Sequence, residues 1–269
     1  MRLNNYQKVS LWFMALLFVF WLVLWVSNIT EGFYNYLYSF LFGLTPLVAG
    51  AVALKKARYW GGLKTAIGKA VFFIGLGIFL WGCGEFIWSY YNFVLNIPAP
   101  YPSIADLGFA PSIFFYGLGA FYLSKVTGAK FALRNNFVKV GVVVATILIT
   151  VLAYYFLVDV ARGGSIMLDT HHVVKMILDL AYPIGDYLAL MIAAIISGLS
   201  FKYLGGAYRK DIIAILLGLG VMFVADTVFS YTTTVGTYYN ANFGDLLLTL
   251  GTFLLSFGVL GFCKSAQES

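Results

Sequence analysis

Long runs of apolar residues, separated by short polar segments, dominate the pattern of this chain. We identify eight runs, at about residues 10–28, 33–54, 70–91, 104–124, 138–158, 176–200, 212–233 and 246–263. A helix rises about 1.5 Å per residue, so such runs are long enough to cross a hydrocarbon core about 30 Å thick. Open strands would leave backbone groups unpaired in lipid. The pattern therefore predicts an all-α integral membrane protein with eight transmembrane helices.

Composition and charge sharpen this prediction. The chain is 61% hydrophobic and only 10% charged, and its polar segments are too short for a soluble domain, so we expect a single polytopic membrane domain over residues 1–269. On this eight-span topology, 15 of the 17 Lys and Arg residues fall on one side of the membrane, and only Arg162 and Lys175 fall on the other. Basic loops remain cytoplasmic, which predicts a multi-pass protein of the cell membrane with both termini cytoplasmic. The net charge of +6 then reflects topology and attraction to anionic lipids, and it does not indicate nucleic-acid binding.

The pattern of one four-helix unit occurs twice. Residues 79–91 align with residues 220–232, which pairs Glu85 with Asp226, and further along Asp106 pairs with Asp245. Identity is low, but residue type and order agree. Copies separated by an even number of spans run in the same direction. We therefore expect a parallel 4+4 internal repeat, with repeat 1 at about 10–124 and repeat 2 at about 138–263.

Acidic residues in or beside these spans are the main functional candidates. An ionised side chain at membrane depth costs several kcal/mol unless it is paired or hydrated, and no Lys or Arg lies at comparable depth here. All of them are expected in the outer half of the membrane, where they predict an outward-facing pocket. The five candidate ligand-binding acids are Glu85, Asp106, Asp186, Asp226 and Asp245.

Each acid also has a purely structural interpretation. Asp106 and Asp245 follow Ser103 and Asn242 by three positions, which is typical of a helix start whose free amides are capped. Glu85 and Asp226 lie deep in their helices, where a protonated acid could instead bond to a Ser, Thr or Tyr on a neighbouring helix. Asp186 lies beside Pro183 and Gly185, so it could simply mark a kink. The sequence leaves these alternatives open.

Two adjacent histidines are weak candidates for a metal site. His171 and His172 fall in an outer loop, and neighbouring side chains on a helix diverge by about 100°, so the two cannot clamp a haem between facing helices. One of them could bind zinc together with nearby carboxylates, although an exposed pair is the simpler interpretation. The sequence leaves any cofactor unidentified.

Several short motifs, taken in order, resemble a known class of membrane region. They are Glu85-x-x-Trp88, Pro100-Tyr101-Pro102-Ser103-x-Ala105-Asp106, Ala181-Tyr182-Pro183-x-Gly185-Asp186, Ala225-Asp226, Gly236-Thr237-Tyr238 and Asp245-Leu246 with Gly251. From about residue 70 onward the chain resembles the multi-span N-terminal regions that precede diguanylate cyclase (GGDEF) domains, and sometimes histidine kinases. The resemblance implies a sensory module whose acids and aromatic residues line the input site. Trp88, Tyr90 and Tyr231 are then the aromatic candidates.

The chain departs from this class at its end, where only five residues follow Lys264, so we expect a stand-alone module whose signal passes to a separate partner. A membrane sensor or ligand-binding module is the first interpretation. A cation-coupled transporter or channel is the alternative, favoured by the repeat and the acids but disfavoured because no acid marks an inner gate. A membrane-embedded metal-dependent enzyme is third, because two loop histidines supply too few ligands. The lipid bilayer is the expected partner, and the sequence leaves a homo-oligomer open.

Overall fold

A computed structural model describes residues 3–126, 136–160 and 208–263, together with the single residues 177, 178, 182, 185, 187, 188 and 191. These parts of the chain are helical, without strands. The helices are α1 (Asn5–Val26), α2 (Phe33–Ala57), α3 (Ala66–Phe93), α4 (Asp106–Val126), α5 (Asn136–Tyr154), α6 (Arg209–Thr234) and α7 (Phe243–Gly261). Two 3₁₀ turns, Arg58–Trp60 and Gly62–Lys64, join α2 to α3, and a π-helical turn, Tyr155–Val160, continues α5.

Six of the described helices, all except α5, are long and apolar enough to cross a membrane. Large apolar side chains on α1 face outward, with Trp12 74% and Leu16 67% exposed, as expected for a surface in contact with lipid. The all-α prediction is confirmed for the described residues, and these six helices have the length and apolar character that it requires of membrane spans. Of the two remaining predicted spans, 138–158 corresponds to α5, whose apolar part Lys139–Leu152 is shorter than a full span, and 176–200 lies almost entirely outside the described residues.

Helix starts follow from capping side chains. Asn4 accepts a hydrogen bond from the Gln7 amide while the Gln7 side chain reaches back to Asn4, so α1 begins five residues before the apolar run that predicted it. Thr65 caps α3 in a similar way by accepting from the Gly68 amide. These caps fix where the first turns begin, ahead of the apolar residues.

Glycines allow close contact between neighbouring helices in two antiparallel pairs, α3 with α4 and α6 with α7. On α4, a side chain at Gly119 would clash with Ile74 of α3. On α7, a Cβ at Gly258 would lie 2.6 Å from Ile215 Cγ1 of α6. Small residues at such crossings let the helix backbones approach, which is the usual basis of tight packing between membrane helices.

The helix ends that carry Lys55, Lys56, Arg58, Lys64, Lys69, Lys125, Arg209 and Lys210 lie at one end of the bundle, which we call the basic end. The Trp60 indole donates to the Phe262 carbonyl there over 2.8 Å, joining the α2–α3 connection to the end of α7. Gln7 Nε2 donates to Asp211 Oδ1 over 2.7 Å and ties α1 to α6. Asp211 is fully buried, and it is an acid that the sequence analysis did not select.

Candidate functional site

A cavity of about 1350 Å³ lies between α2, α3, α4, α6 and α7. Its upper wall includes parts of the α1–α2, α3–α4 and α6–α7 connections, all at the end of the bundle opposite the basic end. Its deeper wall includes Phe42, Trp81, Met222 and Leu248. Trp81 precedes Trp88 by two helical turns, so the cavity penetrates at least about 10 Å along α3.

Two helix faces supply matched sets of side chains to this cavity. Trp81, Glu85 and Trp88 all line it and share one face of α3, because they are four and three residues apart. The same spacing on α6 gives Met222, Asp226 and Phe229, which also line it. Each set therefore places one carboxylate between two large apolar or aromatic side chains.

Asp106 is the first residue of α4, Asp245 lies in the first turn of α7, and the two carboxylates make similar hydrogen bonds. Asp106 accepts from the Ser103 amide over 2.7 Å and from the Tyr182 hydroxyl over 2.6 Å. Asp245 accepts from the Ala241 amide over 2.7 Å and from the Tyr238 hydroxyl over 3.2 Å. Asn242 caps α7 as predicted, because its side chain accepts from the Asp245 amide. At α4 the bond that is observed runs from the Ser103 amide to the Asp106 carboxylate. Both acids also line the cavity, so these local hydrogen bonds and cavity lining coexist.

Glu85 differs from these two acids. It is only 5% exposed, and in the described part of the chain it accepts no hydrogen bond and forms no ion pair. Its side chain packs against Gly43 of α2, where a Cβ would lie 2.6 Å from Glu85 Cγ. It is close enough to Asp245 to interact with it electrostatically. The interhelical hydrogen bond considered from the sequence is therefore not observed among these residues.

Asn240, in the α6–α7 connection, links the cavity walls and was missed by the sequence analysis. Its side-chain oxygen lies 3.1 Å from Trp88 Nε1, 3.2 Å from Ser39 Oγ and 3.4 Å from Asn92 Nδ2, all of which can donate to it. Its carbonyl accepts from Asn35 Nδ2 over 2.9 Å. The sequence feature that could have indicated it is the occurrence of Asn residues at or just beyond the ends of apolar spans.

Asn35 and Asn92 also line the cavity, and each is only 1% exposed. Their amide nitrogens donate within the protein, whereas neither side-chain oxygen has a hydrogen-bond partner in the described part of the chain. A buried acceptor without a donor costs about 1–3 kcal/mol, which makes both oxygens candidates for contact with a ligand.

Aromatic rings form much of the remaining wall. Trp88, Phe229 and Tyr238 make one cluster, with the Phe229 and Tyr238 ring centroids 5.0 Å apart. Trp81 contacts Phe109 in a second, deeper cluster, with their centroids 5.4 Å apart. These rings present flat apolar faces close to the carboxylates.

The Tyr238 hydroxyl is held as a hydrogen-bond donor. Desolvation, together with the negative charges of Asp245 and Glu85, raises the pKa of Tyr238 well above its ordinary value. The hydroxyl therefore stays protonated at neutral pH and donates to Asp245.

The other predicted site residues lie elsewhere. Tyr90 and Tyr231 are 51% and 41% exposed and are not among the residues that line the cavity. Asp186, His171 and His172 lie outside the described residues. The proline-rich connection between α3 and α4 also contributes to the wall, through Asn96, Pro98, Ala99 and Tyr101.

Comparisons with known proteins assign no family to this chain. No protein-family model, no curated protein and no solved structure matches the chain. Among the residues that the structure describes, no group of three or more His, Cys, Asp or Glu side chains is placed to hold a metal ion. The cavity and the side chains that line it are therefore the features that bear on function.

Proposed function

We propose that this protein is a membrane ligand-binding module of the sensory type, whose input site is the cavity between α2, α3, α4, α6 and α7. The observation that carries the proposal is a cavity of about 1350 Å³ whose wall combines buried carboxylates with aromatic rings. Ligand sites are usually preformed concave spaces with mostly apolar walls and a few polar groups. The resemblance of the motifs around Glu85, Asp106 and Asp226 to sensory membrane regions favours the same role.

A parallel 4+4 repeat of eight spans is part of this proposal. The alignment that pairs Glu85 with Asp226 also pairs Ile74 with Ile215, and the one that pairs Asp106 with Asp245 also pairs Gly119 with Gly258. The contacts Gly119–Ile74 and Gly258–Ile215 are thus equivalent under the repeat. The matched faces of α3 and α6 support it further, and the cavity would lie on the axis that relates the two halves.

We place the basic end in the cytoplasm and the cavity mouth outside. The support is the gathering of Lys and Arg at one end of the bundle, because basic loops are retained on the cytoplasmic side. In this orientation a ligand would reach the cavity from outside the cell, past the α3–α4 connection.

Cation-coupled transport is the second candidate, and Asp211 favours it. The argument against transport was that no acid marked the inner half of the membrane. Asp211 is a fully buried carboxylate at the basic end of α6, on the same helix as Asp226. A path between the two ends would therefore have an acid near each of them.

Retention of small molecules tests the binding proposal. Wild-type protein and Thr227→Trp should be purified in parallel from the same cells, and the released compounds compared by mass spectrometry. Thr227 lines the cavity, and within the described part of the chain its hydroxyl bonds only to the Phe223 carbonyl of its own helix. An indole there should therefore fill space without breaking a hydrogen bond between the described helices. A compound enriched in wild type and lost from Thr227→Trp is the expected result. Identical profiles for two folded proteins would overturn the proposal.

Flux separates a sensor from a transporter. The retained compound should be loaded outside proteoliposomes that contain wild type or Asp211→Asn, with and without a proton gradient. A sensor binds the compound without accumulating it. Gradient-driven accumulation that Asp211→Asn abolishes would instead establish the second candidate.

A further inference from the structure

We propose that the cavity binds an organic ammonium ion, that is, a protonated amine attached to an apolar or aromatic body. This inference rests on the proposed ligand-binding function and names the chemical class of the ligand. It places the ammonium group beside Glu85 and the apolar body between the aromatic clusters of Trp88 and Trp81.

The charge of the cavity wall selects a cation. The described residues that line it include no Lys, Arg or His. They include five carboxylates, those of Glu31, Glu85, Asp106, Asp226 and Asp245. In a medium of low dielectric constant, one positive charge among several carboxylates is strongly favoured, and an anion is strongly disfavoured. The acids by themselves do not establish a ligand site, because a backbone amide already donates to one carboxylate oxygen of Asp106 and to one of Asp245.

Three groups on the wall, one of them the Glu85 carboxylate, indicate a ligand that donates hydrogen bonds. Glu85 is nine-tenths buried and has no hydrogen-bond partner among the described residues. The side-chain oxygens of Asn35 and Asn92 are buried acceptors without donors. An ammonium group carries up to three N–H donors and a positive charge, so it can satisfy a carboxylate and amide oxygens together.

The rings explain why the ion should be organic. Trp81 and Trp88 lie one turn before and one turn after Glu85 on the same face of α3, so an ion at Glu85 meets aromatic surface on both sides. Cations are attracted to such faces, most strongly to tryptophan. The remaining volume, bounded by side chains such as Phe109 and Phe229, suits an apolar body.

Competing ligands fit less well. A metal ion needs several ligands about 2.0–2.6 Å away, and in the described parts of the chain no three His, Cys, Asp or Glu side chains are placed to hold one. A wholly apolar ligand such as a lipid tail would leave Glu85 and both asparagine oxygens without partners. A protonated amine avoids both costs.

Three probes of equal length test the proposal: 4-phenylbutylamine, 4-phenylbutanol and 4-phenylbutyrate. At about pH 7 they carry a positive charge, no charge and a negative charge, because alkylamines titrate near the pKa of lysine. Each is titrated calorimetrically into wild-type protein in nanodiscs, with empty nanodiscs and Thr227→Trp as blanks. We expect the amine to bind about tenfold more tightly than the alcohol, which corresponds to about 1.4 kcal/mol, and the carboxylate not to bind.

Two variants locate the charge. Glu85→Gln should weaken amine binding about tenfold and leave alcohol binding within about twofold. Asp159→Asn removes an exposed carboxylate away from the cavity and should change neither. Equal affinity for amine and alcohol in wild type, no amine binding to wild type, or unchanged amine binding in folded Glu85→Gln would each overturn the proposal. Alcohol that binds as tightly as amine and is lost in Thr227→Trp would leave the binding function standing while removing the cation.

Discussion

The indole nitrogen of Trp88 donates a hydrogen bond to the side-chain oxygen of Asn240, 3.1 Å away. The bond joins α3 to the α6–α7 connection, between residues 152 positions apart in the chain. Ser39 of α2 bonds to the same oxygen. One asparagine side chain therefore ties two helices of the first half of the chain to the second half, at the mouth of the cavity.

A double-mutant cycle should detect this link. Asn240→Ala removes the acceptor and leaves the Trp88 N–H and Ser39 hydroxyl without it, whereas Trp88→Phe removes one donor and keeps an aromatic ring. We expect Asn240→Ala to cost about 1–3 kcal/mol of unfolding free energy, with a coupling to Trp88→Phe of about 1 kcal/mol. Thermal unfolding in one detergent gives the four stabilities.

Thr237→Ala is the matched control, because Thr237 is exposed in the same connection and, among the described residues, its hydroxyl makes only a long 3.5 Å contact with the Thr232 carbonyl. It should lower stability by less than about 0.5 kcal/mol. Additive effects of Asn240→Ala and Trp88→Phe would show that their hydrogen bond carries no energy of its own.

Close helix packing predicts similar costs at two glycines. Gly119→Ala and Gly258→Ala both push a methyl group against an isoleucine backbone nitrogen 2.9 Å from the added Cβ, and backbone cannot rotate away. Each should destabilise the protein by about 1–3 kcal/mol. Gly117→Ala lies on the same helix as Gly119, but no described residue would come within 4 Å of its Cβ, so it should be neutral or slightly stabilising, since alanine favours helix. A similar melting temperature for all three variants would refute the packing.

Much of the fold follows from hydrophobicity alone. Runs of apolar residues predicted every long apolar helix that the structure describes, because burial in lipid demands both length and continuous apolarity. Helix ends were less accurate: α1 begins at Asn5 and not near residue 10. That difference is due to the capping box of Asn4 and Gln7, a local hydrogen-bond effect that an apolar run does not contain.

The candidate site was predictable in its acids but not in its neutral polar groups. Glu85 is conspicuous because ionisable residues are rare at membrane depth. Asn240 is one of many polar residues in loops, and its three donors come from residues far away in the chain. Tyr90 was selected as an aromatic candidate on the basis of the resemblance, yet its position on α3 leaves it 51% exposed, which the sequence motif alone does not reveal.

Labelling from the two sides of the membrane should verify the orientation. Lys64 lies at the basic end, and Ile97 is exposed in the α3–α4 connection at the opposite end. In a background without Cys83 and Cys263, an impermeant thiol reagent added to whole cells should label Ile97→Cys and spare Lys64→Cys until the membrane is permeabilised. Labelling of both variants in intact cells, or of Lys64→Cys alone, would contradict the proposed topology.

The hydrogen bond from Tyr238 to Asp245 predicts a pH-dependent stability. The folded-state pKa of Tyr238 lies well above its ordinary value of 10.0, so as the pH rises past about 10 the unfolded chain loses this proton first and the folded state loses stability. Tyr238→Phe has no such proton, and at pH 7 it should melt below wild type because Asp245 loses a donor. The gap in melting temperature between the two proteins should therefore narrow as the pH is raised from about 9 to 11. Tyr59→Phe, which removes the hydroxyl of a residue that is 79% exposed, should follow wild type throughout. A gap that stays constant over this range would mean that the Tyr238 hydroxyl is not held as a shielded donor.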